Sequence, residues 1–150
     1  ALQRRLRAFV TGGGTLASVG VESFQRQVRL TPRLRLTDPT PAASADIFGA
    51  HLTPVRPGVF DLTGGTDKIG LFRNTTGSFT GFSEAEETTS PGTARVLSSA
   101  VDSEGAVIIV ALRVGRGVVI RFGLPELPAR LATDANVQGL MGRTWDLLAR

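Results

Sequence analysis

Catalysis at neutral pH needs side chains that exchange protons or attack carbon, and this 150-residue chain holds few of them. Cys and Tyr are absent, and His51 is the single histidine. Without Cys there is no thiol nucleophile, no thiolate zinc site and no disulfide scaffold. One histidine cannot build a His-rich metal centre, so neither a metal nor a cofactor is expected. A serine hydrolase would have to use His51 as its base. His51 stands in Ala50-His51-Leu52, inside an apparent strand, which is the setting of a packing residue. No Gly-x-Ser-x-Gly elbow presents a nucleophile.

Carboxylates remain. Glu22, Asp46, Asp61 and Glu126 are the members from which an acid–base pair would be drawn. Glu22 and Glu126 stand out because each follows a strand, and open α/β sheets bind ligands beyond the carboxyl ends of their strands. Glu22 with Ser23 is the ligand-binding candidate on the same ground. Both residues are also ordinary members of a helix's first turn. Glu84, Glu86 and Glu87 form an acidic group of the kind hard cations accept, yet their spacing fits a solvated strand face. Gly64-Gly65-Thr66-Asp67-Lys68 resembles a phosphate cradle only loosely, because the full P-loop spacing is missing. Gly12-Gly13-Gly14 leads out of a helix, so its amides do not crown a helix N-terminus. Asn74-Thr75-Thr76 is a glycosylation acceptor pattern, which matters only in a secreted chain.

The elements that would position these residues follow from periodicity. Leu2, Leu6, Phe9 and Val10 recur at helical spacing, predicting a helix over 2–10 that the three glycines end. Thr15–Val19 reads as a short buried strand. Helix, glycine turn and strand make half of an α/β winding unit, and the strand that should precede the helix is missing. Residues 27–36 alternate around Pro32 as interrupted strand pieces, and 38–44 is a loop by its prolines and small residues. Residues 46–55 read as a short helical turn followed by a strand, and Val59–Leu62 is another strand candidate. A turn falls at Gly64-Gly65, residues 67–73 are ambiguous, 74–81 is a polar loop, and 79–89 and 93–100 are extended. Ala106–Gly123 carries the strongest pattern, two β-branched runs around Gly115-Arg116-Gly117, hence a β-hairpin. Its first run is apolar on both faces and belongs deep in a sheet. A short helix begins at Pro125. Asp134 caps a last helix, on which Val137, Leu140, Met141, Trp145 and Leu148 are expected to line one face.

Composition sets the outer bounds. The length fits one domain over 1–150. The longest apolar run, Ala106–Leu112, is too short to span a bilayer, which needs about 20 residues, and no signal-peptide pattern is present. No membrane partner is expected, and no compartment is assigned. Net charge is +4, with 16 Arg and 1 Lys. Arg suits phosphate recognition, but these residues are spread along the chain among acids. Only Arg4, Arg5 and Arg7 cluster, so nucleic acid is not an expected partner.

The stretch Val118-Val119-Ile120-Arg121-Phe122-Gly123-Leu124-Pro125-Glu126 resembles the end of class I glutamine amidotransferase-like domains. Those domains are flavodoxin-like and carry a Cys–His–Glu triad, whose histidine and acid lie in a His-Pro-Glu motif after the last strands. Pro125 and Glu126 match, and Leu124 stands in the place of the histidine. Residues 1–20 resemble the helix–glycine–strand unit of such domains. Residues 46–50 and 110–148 are similar to the amidotransferase-like region of actinobacterial proteins related to the large subunit of N,N-dimethylformamidase. That enzyme's iron site uses tyrosines, absent here, so its activity is not carried over. The resemblance implies an α/β fold with a three-layer, flavodoxin-like and incomplete sheet, a large β-rich insertion over 24–105, and a C-terminal helix. It further implies a non-catalytic accessory domain of a larger protein, whose partners are the other domains of that protein or further copies of this chain. The alternative is a hydrolase fragment completed by residues elsewhere, with Glu22 and Glu126 as its acids.

Overall fold

The structure, a computed structural model, describes residues 2–19, 35–36, 52–54, 59–61, 65–76, 78–82, 84–86, 88–89, 95–102 and 105–150. The hairpin is its organising element. Strands β9 (Val107–Val114) and β10 (Gly117–Phe122) are joined by Gly115-Arg116. Gly115 has φ 59°, the positive value that type II′ loops require at their first position. A four-stranded sheet grows from this hairpin in the order β1-β10-β9-β8, with β1 at Thr15–Val19 and β8 at Arg95–Val101. β1 runs parallel to β10, while β10, β9 and β8 are mutually antiparallel. The sheet is therefore mixed. β8 falls inside the 24–105 range expected as an insertion, yet it is an edge strand of the central sheet.

Alternation sorts the strand residues by face. Ile109, Ala111, Ile120 and Phe122 enter the large core with Leu97 and Ala100, and Ala17 and Val19 pack against it. Val110 and Leu112 form a second cluster with Val96, Val107 and Val114. As expected, β9 is buried along most of its length, from Ile108 to Leu112.

Helix α1 (Leu2–Thr11) precedes β1 and ends in the glycine turn. The amides of Gly12, Gly13 and Gly14 donate to the carbonyls of Ala8, Val10 and Phe9, and Gly13 takes φ 122°. Its expected apolar face is only partly buried: Val10 is sealed, but Leu2 is 61% and Phe9 54% exposed. After β10 the chain forms a four-residue helix α2 (Leu127–Arg130) and then α3 (Ala135–Leu148). The side chain of Asp134 accepts hydrogen bonds from the amides of Asn136 and Val137, as a helix cap should. The buried stripe of α3 is Val137, Leu140, Thr144 and Leu147. This corrects the expected face, since Trp145 points outward at 65% exposure. Thr144 tolerates burial because its hydroxyl donates to the carbonyl of Leu140.

The intervening strands pair as short ribbons. β2 (Arg35–Leu36) joins β7 (Thr88–Thr89), β3 (Leu52–Pro54) joins β6 (Glu84–Glu86), and β4 (Val59–Asp61) joins β5 (Ser78–Thr80). Phe79, Phe82 and Ala85 carry this region into the large core. No helix among the described residues is long and apolar enough to cross a membrane.

Candidate functional site

Two ends of the sheet have to be considered. At the carboxyl end, Val19 and Phe122 are register partners, so the segments leaving β1 and β10 start side by side. Glu22 and Ser23, the candidates after β1, lie outside the described residues, as do Asp46 and His51. Asp61 ends β4, where it pairs with Ser78 of β5.

After β10, Leu124 has 0% exposure and belongs to the large core with Leu127. The position that the resemblance matches to a histidine is thus a packing position. Glu126 is partly exposed and forms an ion pair with Arg130 at 3.6 Å. Arg130 also reaches Asp134 at 3.8 Å. Its guanidinium donates to the carbonyls of Thr80 and Gly81 and lies 4.0 Å from the centre of the Phe82 ring. Arg130 is a latch between α2 and the 78–82 segment, and Glu126 is one of its anchors. Beside them, Asn136 accepts from the amide of Thr76 at 2.9 Å and donates to the Thr76 hydroxyl at 2.7 Å. This end is consolidated by packing and ion pairs.

Behind it lies a feature with no local signature in the sequence. Arg121, opposite Ser18 on β1 and Val110 on β9, is only 1% exposed, and Ser18 is buried as well. Burial pushes the Arg121 guanidinium down to about 10, which leaves it charged at neutral pH. An arginine in a β-branched run reads as an ordinary solvent-facing residue, and only the covered face of the sheet shows otherwise.

The opposite end, where β1 and β10 begin, holds a cleft of about 580 Å³. Its walls come from the hairpin, the 65–76 turn and the last two turns of α3. Lys68, Arg73, Arg113, Arg116, Arg143 and Arg150 line it. Among the described residues no aromatic side chain does. The cations come from three separate stretches of sequence, which is why the charge reads as dispersed along the chain.

The 65–76 turn also settles the glycine-rich segment that resembles a phosphate cradle. Asp67 accepts hydrogen bonds from the amides of Leu71 and Phe72 at 2.7 and 3.2 Å, and from the Ser98 hydroxyl at 2.7 Å. Asp67 of that segment is thus committed to the turn that follows it. Lys68 N donates to Leu97 O, and Ser99 N to Thr66 O, sewing the turn onto β8. Residues 67–73, ambiguous by sequence, are thus a tight turn held by one acid. Asn74 follows with φ 65°. Among the described residues no group of His, Asp and Glu could hold a metal ion.

Comparison with known proteins adds the fold and little else. No family model matches the chain, and no curated protein does. Among solved structures it is similar to a β-galactosidase from Bacillus circulans sp. alkalophilus. The TM-score is 0.59 at 15% identity, over 97% of this chain and 20% of that one. It is also similar to an exo-β-1,4-mannosidase from Opitutaceae bacterium strain TAV5. There the TM-score is 0.50 at 17% identity, over 96% of this chain and 22% of that one. The chain spans about a fifth of the length of either.

Proposed function

We propose that this chain is a non-catalytic, amidotransferase-like accessory domain of a larger protein, built on a three-layer flavodoxin-like plan. The observation that carries the reading is Leu124. It is fully buried where the resemblance would place a histidine, and the acid two residues on is committed to Arg130. A general base must reach the proton it takes, and a core leucine offers neither a basic atom nor access. The similarity to about a fifth of two much longer glycosidases supports the second half of the reading: a fold like this one occurs as part of longer chains. Such a domain serves assembly, packing or ligand recognition beside a catalytic unit. Exposed Leu2, Phe9 and Trp145 supply apolar surface for contact with other domains or further copies of the chain.

The test is direct. The chain is incubated with glutamine, simple amides, and nitrophenyl galactoside and mannoside, against a heat-killed control. We expect no turnover; ammonia or nitrophenol released above that control would overturn the reading. A hydrolase fragment completed by other residues is the second reading, favoured by the adjacent ends of β1 and β10. It requires that Glu22→Ala with Glu126→Ala abolish activity of the longer protein, and retained activity removes it.

A further inference from the structure

We propose that the cleft at the start of β1 and β10 is a binding site for a small polyanion, a ligand bearing two or more phosphate or carboxylate groups. Three observations converge on it. The first is uncompensated charge. Among the described residues no carboxylate lies within ion-pair distance of Lys68, Arg73, Arg113 or Arg116. Arg143 alone has an acid, Asp146, at 2.7 Å. Asp67, the one acid among the described residues of the wall, is engaged by two amides and the Ser98 hydroxyl. Four cations around one concavity repel each other, and a bound anion relieves that repulsion.

The second observation is orientation. Arg113 is fixed along the hairpin by its donation to the Arg116 carbonyl at 3.1 Å. Arg143 is fixed by donation to the Gly70 carbonyl at 3.1 Å. Guanidinium groups held in place are suited to bidentate oxyanion contacts. The third is a like-charge pair in the sheet. Arg95 on β8 and Arg113 on β9 are direct register partners. Like charges directly opposite each other destabilise a strand pair.

The size and lining of the cleft choose among anions. Its volume of about 580 Å³ falls in the range of small-ligand sites, roughly 300–1,000 Å³. Single-stranded nucleic acid would want aromatic platforms for its bases, and a membrane surface would want apolar anchors at the rim. Among the described residues that line the cleft none is aromatic. Cations contributed by three elements, the turn, the hairpin and α3, demand more than one anionic group to satisfy them.

Calorimetric titration of the intact chain tests this with tripolyphosphate and citrate, alongside acetate as a singly charged control. We expect one-to-one binding of a polyanion that weakens with added salt, and no detectable binding of acetate. Arg113→Gln with Arg116→Gln, and separately Arg73→Gln, should weaken it at least tenfold. That loss corresponds to about 1.4 kcal/mol. Arg4→Gln with Arg5→Gln removes the same charge from α1 and should change affinity less than twofold. The relative affinities of tripolyphosphate and citrate assign the phosphate or the carboxylate class. The cleft variants should unfold no earlier than the wild type, so a loss of binding is not a loss of fold. Absence of binding by both polyanions, or equal loss in the α1 variant, overturns the proposal. So does duplex DNA or a phosphatidylserine vesicle binding through the same arginines where the small polyanions do not.

Discussion

Removing the carboxylate of Asp67 should unfasten the 65–76 turn from the sheet. In Asp67→Ala the amides of Leu71 and Phe72 lose their acceptor. Leu71 is 0% and Phe72 9% exposed, so their backbone is not freely hydrated where it stands. An unsatisfied buried donor costs ~1–3 kcal/mol. Two donors would cost up to twice that, but the turn borders the cleft and can swing an amide toward water. The expected loss is therefore about 3 kcal/mol. For a chain of this length ~2–4 °C is lost per kcal/mol, which places the melting midpoint about 9 °C lower. Urea unfolding followed by circular dichroism measures the loss, and amide exchange at Leu71 and Phe72 localises it. Asp67→Asn should recover little, because its carboxamide sets an NH2 donor against one of the two amides. Ser98→Ala should be non-additive with Asp67→Ala, since the Ser98 hydroxyl donates to the same oxygen that Leu71 uses. Formate should restore part of the stability of Asp67→Ala and none to the wild type, by entering the vacated slot. A loss below about 0.5 kcal/mol, the level of an ordinary surface change, would refute the view that one carboxylate holds this turn.

Two glycines in α3 should respond in opposite ways. A Cβ at Gly139 would lie 2.4 Å from the backbone oxygen of Asn74, whereas one at Gly142 meets nothing within 4 Å. Gly142→Ala should stabilise by up to ~1 kcal/mol through helix propensity, while Gly139→Ala should lower the unfolding midpoint in the same urea series. Asp134→Ala removes the cap of α3, and should cost ~1 kcal/mol, read as a midpoint shift of ~2–4 °C. Leu124→His should destabilise by about 3 kcal/mol or more, because it removes a buried leucine and desolvates an imidazole. A chain carrying that histidine that gained glutaminase activity would contradict the placement of residue 124 in the core.

What the sequence disclosed depended on how local the signal was. The hairpin was legible because two β-branched runs flank Gly115-Arg116, and a two-residue loop is a property of neighbours. The glycine stop of α1 and the cap at Asp134 were legible for the same reason. The buried face of α3 was misjudged where it departs from hydrophobicity. Thr144 enters because its hydroxyl is satisfied within the helix. Trp145 stays out because the stripe at 137, 140, 144 and 147 already fills the contact. No local pattern names the partner of a strand, and only the register with β9 shows that β8 joins the central sheet. The cleft was illegible altogether, since its cations meet only after the hairpin, the turn and α3 have come together.

The two ends of the sheet have opposite characters, and the contrast constrains function. At the carboxyl end three polar side chains are tied down: Glu126 to Arg130, Arg130 to two carbonyls, an aromatic ring and Asp134, and Asn136 to the backbone of the 76–78 segment. These contacts hold α2 and the start of α3 to the 76–82 segment. At the amino end Lys68, Arg73, Arg113 and Arg116 gather with no described carboxylate within ion-pair distance, and Arg95 faces Arg113 on the neighbouring strand. Stability alone would favour interleaved opposite charges there. Whatever this domain recognises should therefore be sought at the end of the sheet that open α/β folds ordinarily leave unused.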